Sequence, residues 1–482
     1  MAAQSIGDRA TRGTLWVFIE RLTLELFRFV TTLILARLLG PKEFGLVALT
    51  TIFFSISIAF IDSGFTKALI QKKITTAIDE STIFYFNLII SIFFVLIINI
   101  FSGVISNFFG EPRLENILRV LSITLILFAL RQIQQVVLTK ELNFKLQFKA
   151  NVVGTLGSGI LGIILAFMGY GVWALVAQAV FEGILKAIMF WYVSKWRPIL
   201  IFSKQSFLEF YKFGLNLFFN DLLKSISENM YGLLIGKFYS PYNLGLYDRA
   251  NKLASIVITN FQYSIQRVTF PVFALVQDDK NALRNTVKKS LDLILFLVIP
   301  SMVFLFVIAK PLVIVLLTVK WAPMVPYLKL FCIYWIFFPF SGVNNHLILA
   351  LGHSKIILRQ SFMIYGLQAI LLIITLKMGM LAIIIGQIVA SIGRQLILIY
   401  YARKFIDFGY RQQMSIFLGH FILAICAACI VYFFSFIIDN NYLLLFVQML
   451  VGGLLYLGFS YIFNKKIIYL FIEQIQRLRH KK

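Results

Sequence analysis

Long apolar runs fill almost the whole of this 482-residue chain, separated by short charged or turn-forming stretches. An α-helix rises 1.5 Å per residue and bilayer hydrocarbon is ~30 Å thick, so each run of ~20 apolar residues reads as one crossing. On that ruler the pattern predicts fourteen spans, near 14–39, 44–70, 83–107, 114–138, 148–168, 171–193, 207–236, 244–272, 287–318, 324–350, 356–376, 379–402, 414–438 and 441–464. The run at 287–318 contains Pro300 and the pair Lys310-Pro311, which kink one helix or split it in two. The predicted class is an all-α polytopic membrane protein.

The pattern also repeats. LILARLLGPKEFGLVAL, from Leu33, matches LLIGKFYSPYNLGLYDR, from Leu233, and aligns Arg37 with Lys237, Pro41 with Pro241 and Gly45-Leu46 with Gly245-Leu246. A weaker match pairs GVWALVAQAV at Gly171 with GMLAIIIGQIV at Gly379. Each half holds six spans, an even number, so the two insert with the same orientation as parallel repeats. The expected organisation is a six-helix lobe over 1–200, a second over 201–410, two added helices over 411–464 and a basic tail over 465–482.

Lys and Arg near span ends are retained in the cytoplasm. Taking alternate connections, one side carries about 25 of them, including Lys72, Lys73, Lys145, Lys204, Lys288 and Lys289, and the other about five, chiefly Lys42, Arg113, Lys237, Lys320 and Lys377. The basic side is predicted to be cytoplasmic and to hold both termini. The same bias accounts for the formal charge of +24, so no nucleic-acid partner is implied. Glu20, Arg21, Glu25 and Arg28 interrupt the first span, which lacks the clean apolar core of a cleavable signal peptide.

Chemistry-bearing motifs are sparse. Cys332, Cys426 and Cys429 lie inside predicted spans, and the C-x-x-C of the last two has no further ligands nearby, so helix packing is its expected role. The chain contains no H-E-x-x-H, P-loop or G-x-S-x-G, and neither a metal nor another cofactor is expected. Polar stripes carry more information, because polar groups facing lipid are expensive. Arg21, Glu25, Arg28 and Thr32 share one face of the first span; Thr51, Ser55, Asp62 and Thr66 share one of the second. Asn216, Asn220, Lys224 and Ser227 mark the seventh span, and Asp248, Lys252, Ser255, Thr259, Gln262 and Gln266 the eighth.

Spans 1 and 2 are the repeat partners of 7 and 8, so the same face is polar in both copies. Arg28 lies ~20 Å along its span, where an ionised side chain costs at least ~2.5 kcal/mol. Arg131, Lys186, Lys224, Arg249 and Lys252 add cations, partly balanced by Glu20, Glu182, Asp221, Glu228 and Asp248. Two readings stay open: Glu25 and Arg28 fit a buried pair that locks helices, and Arg131 and Lys186 fit side chains that snorkel to a helix end.

Several segments resemble one family: ARLLGPKEFGLVAL (36–49), DSGFTKALIQ (62–71), ELNFKLQFKANV (141–152), GYGVWALVAQ (169–178), LGLYDRANKL (244–253) and FPVFALVQDD (270–279). They are similar to the Wzx-type flippases of bacterial surface polysaccharide synthesis, in the colanic-acid and teichuronic-acid exporter branch of the multidrug/oligosaccharidyl-lipid/polysaccharide exporter superfamily. The resemblance implies two six-helix lobes plus two C-terminal helices in the bacterial plasma (inner) membrane. It implies alternating-access movement of undecaprenyl-pyrophosphate-linked oligosaccharide repeat units to the outer leaflet. It also implies contact with membrane lipids, polysaccharide polymerase and chain-length partners, and H+ or Na+ coupling. The resemblance carries substrate contact to Arg21, Arg28, Lys224, Arg249 and Lys252; the polar stripes and buried charges add Glu25, Arg131, Asn216, Asn220 and Gln262 as substrate candidates, and Glu25, Asp62 or Asp248 for ion coupling.

A multidrug extruder of the same superfamily is the alternative, but its lumen should be net acidic. A polymerase or ligase should carry a long outer loop with basic and His residues, and a glycosyltransferase a D-x-D; the predicted outer loops are short and the chain has no D-x-D. The charge asymmetry yields a direct test. Reporter fusions at Lys73, Lys145, Lys204, Lys289 and Arg411 should report cytoplasm, and those at Lys42, Lys237 and Lys377 the outside; a cytoplasmic Lys237 breaks the parallel repeat.

Overall fold

The computed structural model describes residues 2–463 except Lys73, together with Lys465 and Ile467; side chains are described for these except 2–15, 17–19, Phe213, Asn216, Val257, 259–271 and Ser354. The basic tail expected over 465–482, Lys73 and the side chains of Asn216, Thr259, Gln262 and Gln266 therefore lie partly or wholly outside the described residues.

Sixteen α-helices follow one another, with no strand among the described residues. They are α1 (Ala2–Leu38), α2 (Pro41–Asp62), α3 (Phe65–Gln71), α4 (Ala77–Phe109), α5 (Arg113–Lys140), α6 (Phe144–Phe167), α7 (Val172–Val193) and α8 (Lys204–Phe238). Then come α9 (Pro241–Leu275), α10 (Lys280–Leu317), α11 (Val325–Ile336), α12 (Phe338–Ala350), α13 (Ser354–Thr375), α14 (Met380–Ile406), α15 (Tyr410–Phe433) and α16 (Asn441–Phe463).

Among the described residues, eleven helical segments are long and apolar enough to cross a membrane. Every predicted span falls on helix; α1, α8 and α9 are the three outside the eleven, and each carries one of the polar stripes. The second span is interrupted, because Ser63 and Gly64 both adopt left-handed backbone between α2 and α3. The tenth is interrupted between α11 and α12, ahead of Pro339. By contrast, α10 runs unbroken through Pro300 and Pro311.

Two compact units divide the chain, residues 1–245 and 246–482. In the first, α6 and α7 pack on each other and on α1 and α5, α4 on α5, and α2 on α8. Phe65, Leu69, Ile83, Phe84, Ile133 and Phe210 form an apolar core there. Ion pairs reinforce the packing: Lys67 meets Asp221 at 2.7 Å, and Lys72 meets Glu209 at 3.0 Å and Asp79 at 3.1 Å. Burial alone would lower the Lys72 ammonium, but the hydrogen bonds to Glu209 and Asp79 outweigh it and hold the group above its ordinary range. In the second unit α10 is the hub, touching α11, α12, α14, α15 and α16. Its buried stripe includes Leu291, Leu295, Ile299, Met302 and Val313.

Lipid tails are as apolar as Leu, so close packing and interhelical hydrogen bonds hold such helices together. The repeated motif supplies the tightest example in the first unit. Pro41 and Pro241 each open a helix, and four residues later Gly45 and Gly245 face the opposite copy. A Cβ on Gly45 would lie 1.6 Å from the Pro241 carbonyl oxygen, and one on Gly245 2.0 Å from that of Pro41. The aligned residues of the two copies therefore touch backbone to backbone. Gly45→Ala or Gly245→Ala should cost about 1–3 kcal/mol by overpacking. Gly342→Ala, with nothing within 4 Å of the new Cβ, should be neutral; thermal unfolding of the detergent-purified variants checks this ranking.

Candidate functional site

The densest mid-helix charge cluster in the first unit forms where α1, α5, α6 and α7 meet. Glu182 and Lys186 stand four apart on α7, a spacing that puts them on one face, and they form an ion pair. Lys186 is 10% exposed and reaches Glu182 because Gly154 of α6 yields the space; a Cβ there would sit 2.4 Å from Lys186 Cγ. Thr155, the next residue, donates its hydroxyl to Glu182 Oε1 at 3.3 Å. From α1, Arg28 Nη2 donates to the same oxygen at 3.4 Å. Arg131 of α5 lies over the Phe128 ring, 5.3 Å from its centroid, and donates to Gln135 Oε1 at 3.1 Å. Its charge interacts with those of Glu182, Arg28 and Lys186.

Three cations thus share one carboxylate. Glu20 is a further anion within the field of Lys186, and Asn151 of α6 donates to it at 2.7 Å. A surplus of positive charge remains. The Arg28 side chain is 56% exposed, so the guanidinium keeps donors available beyond its contact with Glu182.

These contacts bear on the two readings that the sequence leaves open. Glu25 does not pair with Arg28; Arg21 Nε donates to Glu25 Oε1 at 3.0 Å, one helical turn away, while Arg28 turns to Glu182. The i,i+4 spacing puts Arg21 and Glu25 on one helix face, within reach of each other. Nor does Lys186 snorkel to a helix end, since its ammonium is fixed on Glu182.

The remaining expected residues are spread more widely. Lys224 pairs loosely with Glu228 at 3.8 Å, both well exposed, and Asn220 is exposed on the same helix. In the second unit Lys252 pairs with Asp248 at 2.8 Å, and Arg249 is half-buried beside Asp248. The side chains of Asn216 and Gln262 lie outside the described residues. Asp62 is bound into a network: Thr66 and Gln132 both donate to it, Gln132 Nε2 also contacts Thr66 Oγ1 at 2.6 Å, and Asn87 donates to Gln132 Oε1 at 3.1 Å. Thr155, Asn151, Gln132 and Asn87 were not among the expected site residues. Polar side chains in apolar runs were the available signal.

No group of three His, Cys, Asp or Glu able to hold a metal occurs among the described residues. The second unit contains an apolar cavity of about 730 Å³ between α10, α11 and α15, walled by Phe306, Phe337, Phe417 and Phe421, with Lys329 among its lining.

Residues 34–326 match the family described as polysaccharide biosynthesis protein. The chain belongs to that family. Among curated polysaccharide biosynthesis relatives, the succinoglycan biosynthesis transport protein ExoT of Rhizobium meliloti (strain 1021) is 26% identical over 66% of this chain. The match covers 65% of ExoT, just under two thirds of its length. The teichuronic acid biosynthesis protein TuaB of Bacillus subtilis (strain 168) is 24% identical over 73% of each chain. The lipopolysaccharide biosynthesis protein WzxC of Escherichia coli (strain K12) is 22% identical over 68% of this chain and 67% of that one.

The fold is that of the lipid II flippase MurJ in its inward closed conformation, with a TM-score of 0.77 at 19% identity, covering 94% of this chain and all of that one. An inward-facing multidrug resistance MATE transporter of the MOP superfamily shares it at a TM-score of 0.61 and 17% identity, covering 81% and 98%. This family member is a multi-pass membrane protein. Removing one partner from a buried charge group leaves the others uncompensated. Glu182→Ala should therefore lower stability by on the order of 3 kcal/mol, whereas Glu182→Ala with Lys186→Met should recover part of that loss; detergent-solubilised melting curves measure both.

Proposed function

We propose that this chain is a flippase that moves undecaprenyl-pyrophosphate-linked oligosaccharide repeat units from the cytoplasmic to the outer leaflet for surface polysaccharide synthesis. The observation that carries the reading is the surplus of positive charge around Glu182. An ionised group at that depth is costly unless it meets water or an anion. A diphosphate offers oxygens matched to the planar Arg28 fork. The names of the polysaccharide biosynthesis relatives and of the lipid II flippase support the same cargo class.

In this reading α1, α8 and α9 cross the membrane with the eleven apolar segments, their charges facing the transport route. Two six-helix lobes, 1–200 and 201–410, alternate access, and both termini lie in the cytoplasm. Arg21, Glu25, Arg131, Asn220, Lys224, Arg249 and Lys252 contribute contacts along the way, and Glu25, Asp62 or Asp248 serves ion coupling. The anion enters beside Arg28, whose exposed donors bind it first; Lys186 stays on Glu182 and neutralises it, so Arg28 and Arg131 keep the local field positive. No bond in the cargo is made or broken, and the protein acts by transport rather than catalysis. The apolar cavity beside α15 suits hydrocarbon.

The MATE-like fold favours a second reading, a multidrug extruder. Surplus positive charge would repel the organic cations such a protein carries, which ranks it below the first.

Arg28→Lys keeps the charge but loses the fork, and should retain part of the export activity; Arg28→Ala should lose most of it, on the order of tenfold or more at equal membrane abundance. Polymer export in cells lacking the chromosomal copy, complemented by each variant, measures this. Full export by Arg28→Ala would remove Arg28 from the substrate path.

A further inference from the structure

The cavity of about 730 Å³ between α10, α11 and α15 is polarised along its length. At one end the Phe337 and Phe417 rings stack with centroids 5.8 Å apart, and Phe421 continues the stack at 5.2 Å. Lys329 also lines the cavity, ~12 Å from Phe337 along α11 at 1.5 Å per residue. Its ammonium sits 5.1 Å from the centroid of the Phe306 ring, so the charge stands at the opposite end from the aromatic floor. A volume of this size, apolar but for a few polar groups, is that of a small-molecule site.

No carboxylate answers that charge. The chain has no Asp or Glu between Asp292 and Asp407, and α15 has none. On α10 the lining begins at Met302, beyond Asp292, so no wall of the cavity holds an acid. The ion pairs described in the second unit, Lys252 with Asp248, Lys280 with Asp407 and His420 with Asp292, leave Lys329 out. The face of Phe306 gives the ammonium a cation–π contact but no counter-charge. A cation on a membrane helix is costly unless it meets water or an anion.

Access and depth identify the anion. Phe306, Ile333, Ile425 and Cys429 line the cavity and are exposed, so it opens sideways, toward the bilayer. The ~12 Å from Lys329 to the floor is close to the ~15 Å of hydrocarbon in one leaflet. Lys329 lies in the second turn of α11, where a lysine stem laid along apolar surface carries its ammonium to headgroup level. Basic pockets between membrane helices hold anionic headgroups in this way.

We propose that this cavity binds an anionic glycerophospholipid, with its phosphate at Lys329 and one acyl chain lying between α10, α11 and α15 as far as the floor of Phe337 and Phe417. The second chain stays in the bilayer, beyond the open side. Net negative charge on the headgroup is required, because a zwitterionic lipid with the same chains brings the ammonium no surplus anion. The depth matches a chain of one leaflet, and the much longer polyprenyl chain of a carrier lipid has no such match. This goes beyond the flippase reading: the lipid is a resident of the second unit and is not carried.

Native mass spectrometry of the full chain in detergent, titrated with dioleoyl phosphatidylglycerol or dioleoyl phosphatidylcholine, compares headgroups on identical chains. Wild type should bind the first at least about fivefold more tightly, the gain from one ammonium beside an anionic head. Lys329→Gln should bring the two lipids within about twofold of each other, and Lys329→Arg should keep most of the preference. Lys310→Gln, which removes an exposed cation of α10 outside the cavity, should behave as wild type. In nanodiscs, a phosphatidylglycerol with a diazirine near the end of one chain should label the peptides that hold Phe337 and Phe417 well above those of α13. Equal binding of the two headgroups by wild type overturns the proposal without any variant having to fold. A preference that survives Lys329→Gln, or falls as far in Lys310→Gln, also overturns it, since general attraction to surface charge then explains the binding. So does labelling no stronger than that of α13, or displacement of the photolipid by undecaprenyl phosphate at a concentration about tenfold below that of phosphatidylglycerol, which gives the cavity to the carrier chain. Neither readout involves transport, so a failure of the flippase reading leaves this result intact.

Discussion

A membrane-spanning bundle can hold cations only if something compensates them, and in the first unit that compensation falls on Glu182. Lys186, Arg28 and Thr155 all turn to its Oε1, from α7, α1 and α6. Outside water each of these groups would carry a heavy desolvation penalty, so their mutual placement constrains how three helices cross. Gly154 follows from that constraint, because any larger residue would push Lys186 off its partner. Asn151, one turn earlier on α6, ties the same helix to Glu20 of α1. Packing and charge are thus settled together. Two carboxylates, Glu182 and Glu20, against the three cations Arg28, Arg131 and Lys186 leave the cluster positive, and the proposed function rests on that imbalance.

The second unit answers a different problem, the amide hydrogen that Pro300 lacks inside α10. A helix interior usually bends or breaks at proline because a carbonyl loses its donor. Here Tyr456 of α16 donates to the Phe296 carbonyl, so the helix continues and an added helix is pinned to it. His420 then finds its place between that phenol and Asp292. Helices α15 and α16 are in this way fixed to α10 by polar contacts, where lipid offers little hydrophobic drive for association. The apolar cavity beside α15 shares this wall of the unit with the cluster.

The internal repeat links the two levels of description. Its Pro-x-x-x-Gly motif marks where a helix begins, with proline at the first position supplying a preset φ and no amide to satisfy. Both copies obey that rule, at Pro41 and Pro241. The glycines serve a second purpose, backbone contact between the copies. Every other predicted strong feature of the fold was equally local: helix positions, the polar character of α1, α8 and α9, and the membrane environment all follow from hydropathy summed over ~20 residues.

By itself the sequence determined that this is a helical membrane protein, where its helices lie, that it repeats internally, and that costly charges sit deep in some of them. Each of these depends on residues near one another along the chain. Tertiary structure alone decided the partners: Arg28 with Glu182 across 154 positions, Gln132 with Asp62 across 70, His420 with Asp292 across 128. Periodicity had offered Glu25 to Arg28, but two residues on one helix face say nothing about what a neighbouring helix brings. A buried charge takes the best counter-charge in space, and which one that is depends on helix crossings set by residues such as Gly154, whose importance has no local signature.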